Sequence, residues 1–236
     1  MAIRQFKADN VSYMKSKAAK ISLITVAVAG FLGLSFGSAK PVYVPSYRAV
    51  RVIDGDTFET AEKQWIRVSG IDAPEQGMCG SREAKQELEK LVLGKDIYLK
   101  VMYHDSTRLM ALVYNKDGLI ATKMLASGWA ELNDRDGLGL PELSQAVKAA
   151  REQKIGLFSQ KCTQTVNPDK PDCKIKANKT TNNPPTYHFP GCNSYNVVLV
   201  ELHHGDDWFC TEKEAQAAGF KRAATCPTAY EETPRR

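Results

Sequence analysis

A series of short strand-like stretches separated by turns, between residues 47 and 114, most constrains how this chain folds. Apolar and polar side chains alternate over residues 47–53, 57–60 and 65–68, and the first two stretches flank an Asp-Gly-Asp turn. Two further stretches, residues 96–103 and 109–114, precede a turn at residues 115–118. The pattern therefore predicts about five strands in the first half of the chain.

Helices are predicted at the edges of this strand series. We expect Ser81 to N-cap a helix over residues 82–93 whose apolar residues share one face, and a short helix over residues 119–127. A last helix is expected to begin at Pro141 and to end near Gly156. Strands followed by interspersed helices indicate the α+β class, and we predict a strongly curled five-stranded antiparallel barrel of the OB-fold type with about three helices.

The N-terminal segment, residues 1–40, is expected to be an export leader. Three lysines precede residues 21–36, an uncharged and mostly apolar run that three small residues follow. This pattern favours a cleaved signal peptide over a retained membrane anchor, because 16 residues are few for a span of about 20. Either way, we expect the remainder to lie in the periplasm, at the cell surface or outside the cell. A membrane contact is expected only through residues 21–39, if the leader is retained.

All six cysteines follow that leader, and an even number in an exported chain predicts disulfides. We expect a barrel domain over residues 46–160, a polar and proline-rich linker over residues 161–186 and a small cysteine-containing module over residues 187–230. Zinc binding in that module is the alternative to disulfides there; its candidate ligands are His188, Cys192, Cys210 and Cys226. The neighbouring pair His203 and His204 is expected to be solvated.

The net charge of +5 belongs to the leader, because residues 1–40 hold six bases and one acid while the rest is neutral. The predicted folded part therefore has no bulk positive field to attract nucleic acid. If it handles phosphates, a few placed charges or a metal ion must do so.

Three acids and two arginines provide such placed charges. Asp56, Asp72 and Glu75 lie at turns and loops beside predicted strands, and carboxylates that converge there would form an oxygen site suited to Ca²⁺ or Mg²⁺. Arg67 and Arg108 carry planar guanidinium groups that match a phosphodiester. Together the five residues indicate metal-assisted phosphoryl chemistry.

The motifs Asp54-Gly55-Asp56-Thr57, Arg67-x4-Asp72-x-Pro74-Glu75 and the later Arg108 resemble the staphylococcal nuclease family in kind, order and spacing. The resemblance covers about residues 46–160. It implies an OB-fold nuclease that hydrolyses phosphodiester bonds of DNA and RNA with little sequence preference. The residues after the barrel also resemble a small module that follows this nuclease domain in some bacterial proteins.

The resemblance also implies a role for each site residue. Asp56, Asp72 and the backbone carbonyl of Ala73 would bind one Ca²⁺ ion, and Glu75 would position or deprotonate the attacking water. Arg67 and Arg108 would hold the phosphate and stabilise its transition state.

Asn133 and Asp134 depart from the family pattern, since they stand where an aromatic residue that packs on the nucleotide is expected. The alternative function is a non-catalytic OB-fold module that binds single-stranded nucleic acid.

Overall fold

The computed structural model describes residues 47–179 and 184–228. All of these belong to one compact unit, Val42–Arg236. The predicted leader, residues 1–40, lies outside the described residues. Among the residues that are described, none of the helices has both the length and the apolar character that a membrane crossing requires.

The first part of the described chain contains eight strands and three α-helices. The strands are β1 Ala49–Val52, β2 Thr57–Thr60, β3 Trp65–Val68, β4 Ile71–Asp72, β5 Tyr98–His104, β6 Arg108–Asn115, β7 Gly118–Leu119 and β8 Glu131–Leu132. The helices are α1 Ser81–Val92, α2 Ile120–Ala126 and α3 Pro141–Gln153, with short 3₁₀ turns at Asp134–Asp136 and Gly156–Phe158.

The main sheet of this part has the strand order β1-β2-β3-β6-β5, with β7 paired to β6. A bridge between Tyr47 and Ile97, the residues next to β1 and β5, brings the two ends of that order together. The inner side chains of the sheet, Phe58 and Ile66 among them, are fully buried against the helices. The predicted α+β class and OB-fold are confirmed. One pairing differs from the expected antiparallel pattern, since β3 and β6 run parallel.

The helix starts follow the chain's local chemistry. Pro141 opens α3, as expected, because proline lacks the N–H that a first helical residue leaves unpaired. The N-cap of α1 is Gly80 and not the predicted Ser81, which is the first helical residue. Gly80 has a φ of +83°, and a Cβ there would lie 2.4 Å from Cδ2 of Leu157. This close approach in a left-handed conformation requires glycine.

The second part of the described chain is a small sheet structure. Its elements are β9 Thr163–Gln164, β10 Ile175–Asn178, β11 Thr186–His188, β12 Val200–Glu201, a 3₁₀ turn at Leu202–His204, β13 Asp207–Phe209, α4 Glu212–Ala217 and β14 Lys221–Arg222. One sheet has the order β13-β10-β11-β14, and β12 pairs with β9. The linker expected over residues 161–186 therefore differs from the structure, which places two complete strands and the start of a third there. Ile175 and Ala177 are buried in the core of this part, so the polar composition around them hid a strand.

Three disulfides confirm the prediction made from the cysteines. They join Cys79 to Cys162, Cys173 to Cys210 and Cys192 to Cys226. The last two close loops within the small second part, whose apolar core is limited. The first joins the loop before α1 to the chain after α3, across 83 residues of sequence.

Candidate active site

The turn between β1 and β2 places Asp56 inside the protein. Oδ1 of Asp54 accepts hydrogen bonds from the backbone N–H groups of Asp56 at 3.1 Å and Thr57 at 2.8 Å, which is the Asx-turn pattern. Gly55 lies against the loop after β4, since a Cβ there would be 2.5 Å from Cβ of Ala73 and 2.6 Å from Cβ of Ala84. The turn thus packs closely on its neighbours, and Asp56 is only 2% exposed.

We expect Gly55→Ala to lower the free energy of unfolding by about 1–3 kcal/mol, the usual cost of overpacking. The added methyl group would displace the turn that carries Asp56, because it would collide with Ala73. Urea unfolding measures the loss. Adding Ala73→Gly should return part of the stability, relative to Ala73→Gly alone. Additive losses in this double-mutant cycle would contradict the collision.

Asp56 is surrounded by donors. Its Oδ1 accepts from the hydroxyl of Thr57 at 2.9 Å and from the guanidinium of Arg67, and its Oδ2 accepts from the backbone N–H of Ala73 at 3.1 Å. Burial nevertheless raises the pKa of Asp56 to about 6, and the charge of Arg67 only partly opposes that rise. A buried carboxylate that holds its proton this firmly would be stabilised as an anion by a further cation.

Arg67 joins the two aspartates. Its guanidinium pairs with Asp56 on one side and with Oδ1 of Asp72, at 2.5 Å, on the other. Burial lowers the pKa of Arg67, but the two carboxylates outweigh burial and raise it above its usual value. Asp72 is 61% exposed at its side chain, so the group reaches from the interior to the surface. The structure therefore brings Asp56, Arg67 and Asp72 into direct contact.

Arg108 lies on the same side of the sheet as Arg67. The parallel register places Arg108 opposite Trp65, and side chains two residues apart on a strand share a face. The guanidinium of Arg108 donates to Oδ2 of Asp105 at 3.3 Å. The structure thus places both arginines on one face, although Arg108 pairs with a different carboxylate.

Glu75 and Ala73 line an open cavity of about 620 Å³ beside this cluster. Its other lining residues include Asp72 on one wall and Asn133, Asp134 and Arg135 on another; residues of the second part complete it. Glu75 is exposed, as water activation at a solvent-filled cleft requires. Asp56, Arg67 and Arg108 do not line this cavity.

Three cavity residues were not expected at the site: Glu131, His203 and His204. Glu131 lies on β8 directly opposite Asp72 on β4. Its Oε2 is 2.5 Å from Nε2 of His204 and its Oε1 is 3.7 Å from Nε2 of His203. The expectation of a solvated histidine pair is wrong, since the side chain of His203 is 1% exposed. The adjacent histidines were the only sequence signal for this cluster.

The pair of Glu131 and His204 should make the protein's stability depend on pH. Hydrogen bonds to Glu131 and Glu201 raise the pKa of His204 to about 10, from 6.5. Because the folded-state pKa is the higher one, this stabilisation is complete below pH 6.5 and is lost as the pH rises through about 10. The difference in unfolding free energy between wild type and His204→Gln should therefore shrink from pH 6 to pH 10. His104→Gln, on the exposed strand β5, should show no such trend; a constant gap for His204 would contradict the pairing.

The candidate zinc ligands of the second part are committed to disulfides. Cys192 is bonded to Cys226 and Cys210 to Cys173, so none of these sulfurs is a free thiolate. His188 lies near the Cys192–Cys226 bond, and its Nδ1 is 3.0 Å from the hydroxyl of Ser194. With the disulfides formed, this cluster lacks the thiolates that a cysteine-rich zinc site needs.

Comparison with known proteins identifies the family. A family model described as staphylococcal nuclease homologue matches residues 65–160. A protein of Escherichia coli named an uncharacterized endonuclease is 33% identical over 117 residues, which are 48% of this chain and 76% of that protein. The chain belongs to the staphylococcal nuclease family. The family match includes Arg67, Asp72 and Glu75, whereas Asp56 precedes it.

Two plant proteins resemble the staphylococcal nuclease part of the chain. An uncharacterized 38.1 kDa protein of Capnoides sempervirens is 35% identical over 127 residues, covering 51% of this chain and 35% of that protein. A staphylococcal-like nuclease of Arabidopsis thaliana is 30% identical over 136 residues, covering 56% of this chain and 39% of that protein. The chain thus spans well under half the length of these relatives.

Proposed function

We propose that this chain is an exported, Ca²⁺-dependent nuclease that hydrolyses phosphodiester bonds of DNA and RNA with low sequence preference. The observation that carries the proposal is Arg67, held between Asp56 and Asp72 beside a cavity lined by Glu75. A phosphate-binding cation, two metal-binding carboxylates and a candidate base thus lie within one region. The relatives named as nucleases support the same chemistry.

The residues present fit a calcium ion. Asp56, Asp72 and the carbonyl of Ala73 would hold it, and all three offer oxygen, the ligand that Ca²⁺ prefers. Two carboxylates already converge on one cationic group, Arg67, so their spacing suits a shared positive charge. A bound Ca²⁺ would supply Lewis-acid polarisation of a phosphate oxygen.

The chain's own side chains would carry the remaining steps. Arg67 and Arg108 would donate hydrogen bonds to the equatorial oxygens of the phosphate and stabilise the negative charge that increases in the transition state. Glu75 would accept the proton of the attacking water while that water's oxygen bonds to phosphorus. The bond from phosphorus to the leaving 5′ oxygen would break, which leaves a 3′-phosphorylated product.

Three disulfides support the exported location, because disulfides persist in oxidising compartments. Fractionation of cells that express the full chain should recover it, with its cysteines oxidised, outside the cytoplasm. Recovery of a reduced cytoplasmic protein would contradict this part of the proposal.

The test is cleavage of single-stranded DNA and of RNA by the full chain, with Ca²⁺ or with a chelator. We expect both substrates to be cut with Ca²⁺ and neither with the chelator. A Glu75→Gln protein purified in parallel excludes a contaminating nuclease. Salt-dependent binding without cleavage at any metal concentration would overturn the proposal and favour the non-catalytic binding module.

A further inference from the structure

Glu131, His203 and His204, here named the histidine cluster, bring three ligand atoms together at the cavity. One carboxylate oxygen and one ring nitrogen from each histidine all lie within 4.8 Å of one another. Glu131 comes from β8 of the barrel and the histidines from the 3₁₀ turn after β12, some 70 residues later in the chain. Tertiary packing therefore builds the cluster from distant segments.

His203 shows that the cluster lacks a partner. Both ring nitrogens of His203 are buried, and neither has a hydrogen-bond partner among the described residues. The 3.7 Å between its Nε2 and Glu131 is too long for a hydrogen bond. Buried polar groups without partners cost about 1–3 kcal/mol each, so such groups in a native protein usually serve a ligand.

We propose that the histidine cluster binds a divalent transition-metal ion of the Zn²⁺ type. Two imidazole nitrogens and one carboxylate oxygen are the donors that such ions take in three-ligand sites, where a fourth position stays open. The oxygen ligands of the proposed calcium site have the opposite preference. The two sites are therefore separable by metal type.

Glu201 supports this assignment as a positioning residue. Its Oε2 lies 3.7 Å from Nδ1 of His204, the ring nitrogen that does not contact Glu131. Histidines that bind metals commonly have a carboxylate beside their second ring nitrogen, which fixes the orientation of the ring. The surroundings of His204 match that arrangement.

The position of the cluster gives the metal a structural consequence. Glu131 lies opposite Asp72 in the β4–β8 pair, and all three cluster residues line the cavity that Glu75 also lines. An ion there would link the barrel to the second part of the chain. Its open coordination position would face the cavity, where a water molecule or a phosphate oxygen could bind.

Zinc titration of the chelator-treated full chain tests the proposal, with calorimetry and metal analysis as readouts. We expect one Zn²⁺ per chain, retained in excess Ca²⁺, and Co²⁺ in its place should give the visible absorption of a four-coordinate site. His204→Ala should weaken zinc binding by about 100-fold or more, and Glu201→Gln by about tenfold. Glu75→Gln and His188→Ala should bind zinc as wild type does.

His204 is the primary variant because its side chain is 42% exposed, so its removal should leave the fold intact; circular dichroism checks this. Undiminished zinc binding in His204→Ala, loss of binding in Glu75→Gln, or no stoichiometric binding by wild type would overturn the proposal. The readouts do not depend on cleavage. A failure of zinc binding would therefore leave the proposed nuclease function standing, and the reverse also holds.

Discussion

Arg67→Ala should lower the rate of DNA cleavage by about 10²–10³-fold, the usual loss when one positioned transition-state donor is removed. It should also destabilise the metal-free protein by about 3 kcal/mol, because the buried Asp56 would lose its countercharge. Single-turnover cleavage and urea unfolding measure the two effects. Arg82→Ala is the matched control, since its side chain is 81% exposed and outside the site.

Calcium should restore the lost stability. Without Arg67, the carboxylates of Asp56 and Asp72 repel each other, and a divalent cation would relieve that repulsion. We therefore expect Ca²⁺ to stabilise Arg67→Ala more than it stabilises wild type, although cleavage stays low. Equal stabilisation of the two proteins would contradict a metal site at these carboxylates.

Glu75→Gln separates chemistry from folding. Glu75 is exposed, so its replacement should lower cleavage by about 10²-fold or more and leave the unfolding free energy unchanged. Glu62→Gln, in the exposed turn between β2 and β3, is the control. Full activity of Glu75→Gln would show that another group activates the water.

Removing the disulfide between Cys79 and Cys162 should lower the melting temperature by about 5–20 °C, which corresponds to about 2–5 kcal/mol. This bond closes a loop of 83 residues, and long loops lose the most entropy on closure. The double variant Cys79→Ala with Cys162→Ala tests this by calorimetry. Cleavage should also fall, because Cys79 follows the loop that carries Asp72 and Glu75.

The contrasting variant is Cys192→Ala with Cys226→Ala, whose bond spans 34 residues within the second part. It should lower stability and leave cleavage at its wild-type rate, since neither residue lines the cavity. An unchanged melting temperature without the Cys79–Cys162 bond would contradict the entropic argument. Equal effects of the two double variants on cleavage would contradict the link to the site loop.

Local chemistry made much of the barrel predictable. Alternation bounded by turns gave β2 and β3 their observed limits, because a strand with one buried face must repeat every two residues. The start of α3 followed from Pro141, whose missing N–H suits only the first turn of a helix. The motif from Arg67 to Glu75 placed the candidate site, since three of its members lie within nine residues on one strand and loop.

Pairing between distant segments was not predictable in the same way. The parallel alignment of β3 and β6 depends on the path of the chain through α1 and β5, which strand patterns do not encode. Six cysteines allow 15 pairings, and only folding selects among them. The strand β10 was hidden because its apolar residues are few and lie in a polar, proline-rich stretch.

The sequence by itself determined the elements of the barrel and the acids and arginines of its candidate site, because both follow from residue types at short spacings. Only the tertiary structure decided that Arg67 binds Asp56 and Asp72 together, and that His203 is buried beside Glu131. Burial and contact between distant residues depend on how whole segments pack, and packing is a property of the folded chain rather than of any local pattern.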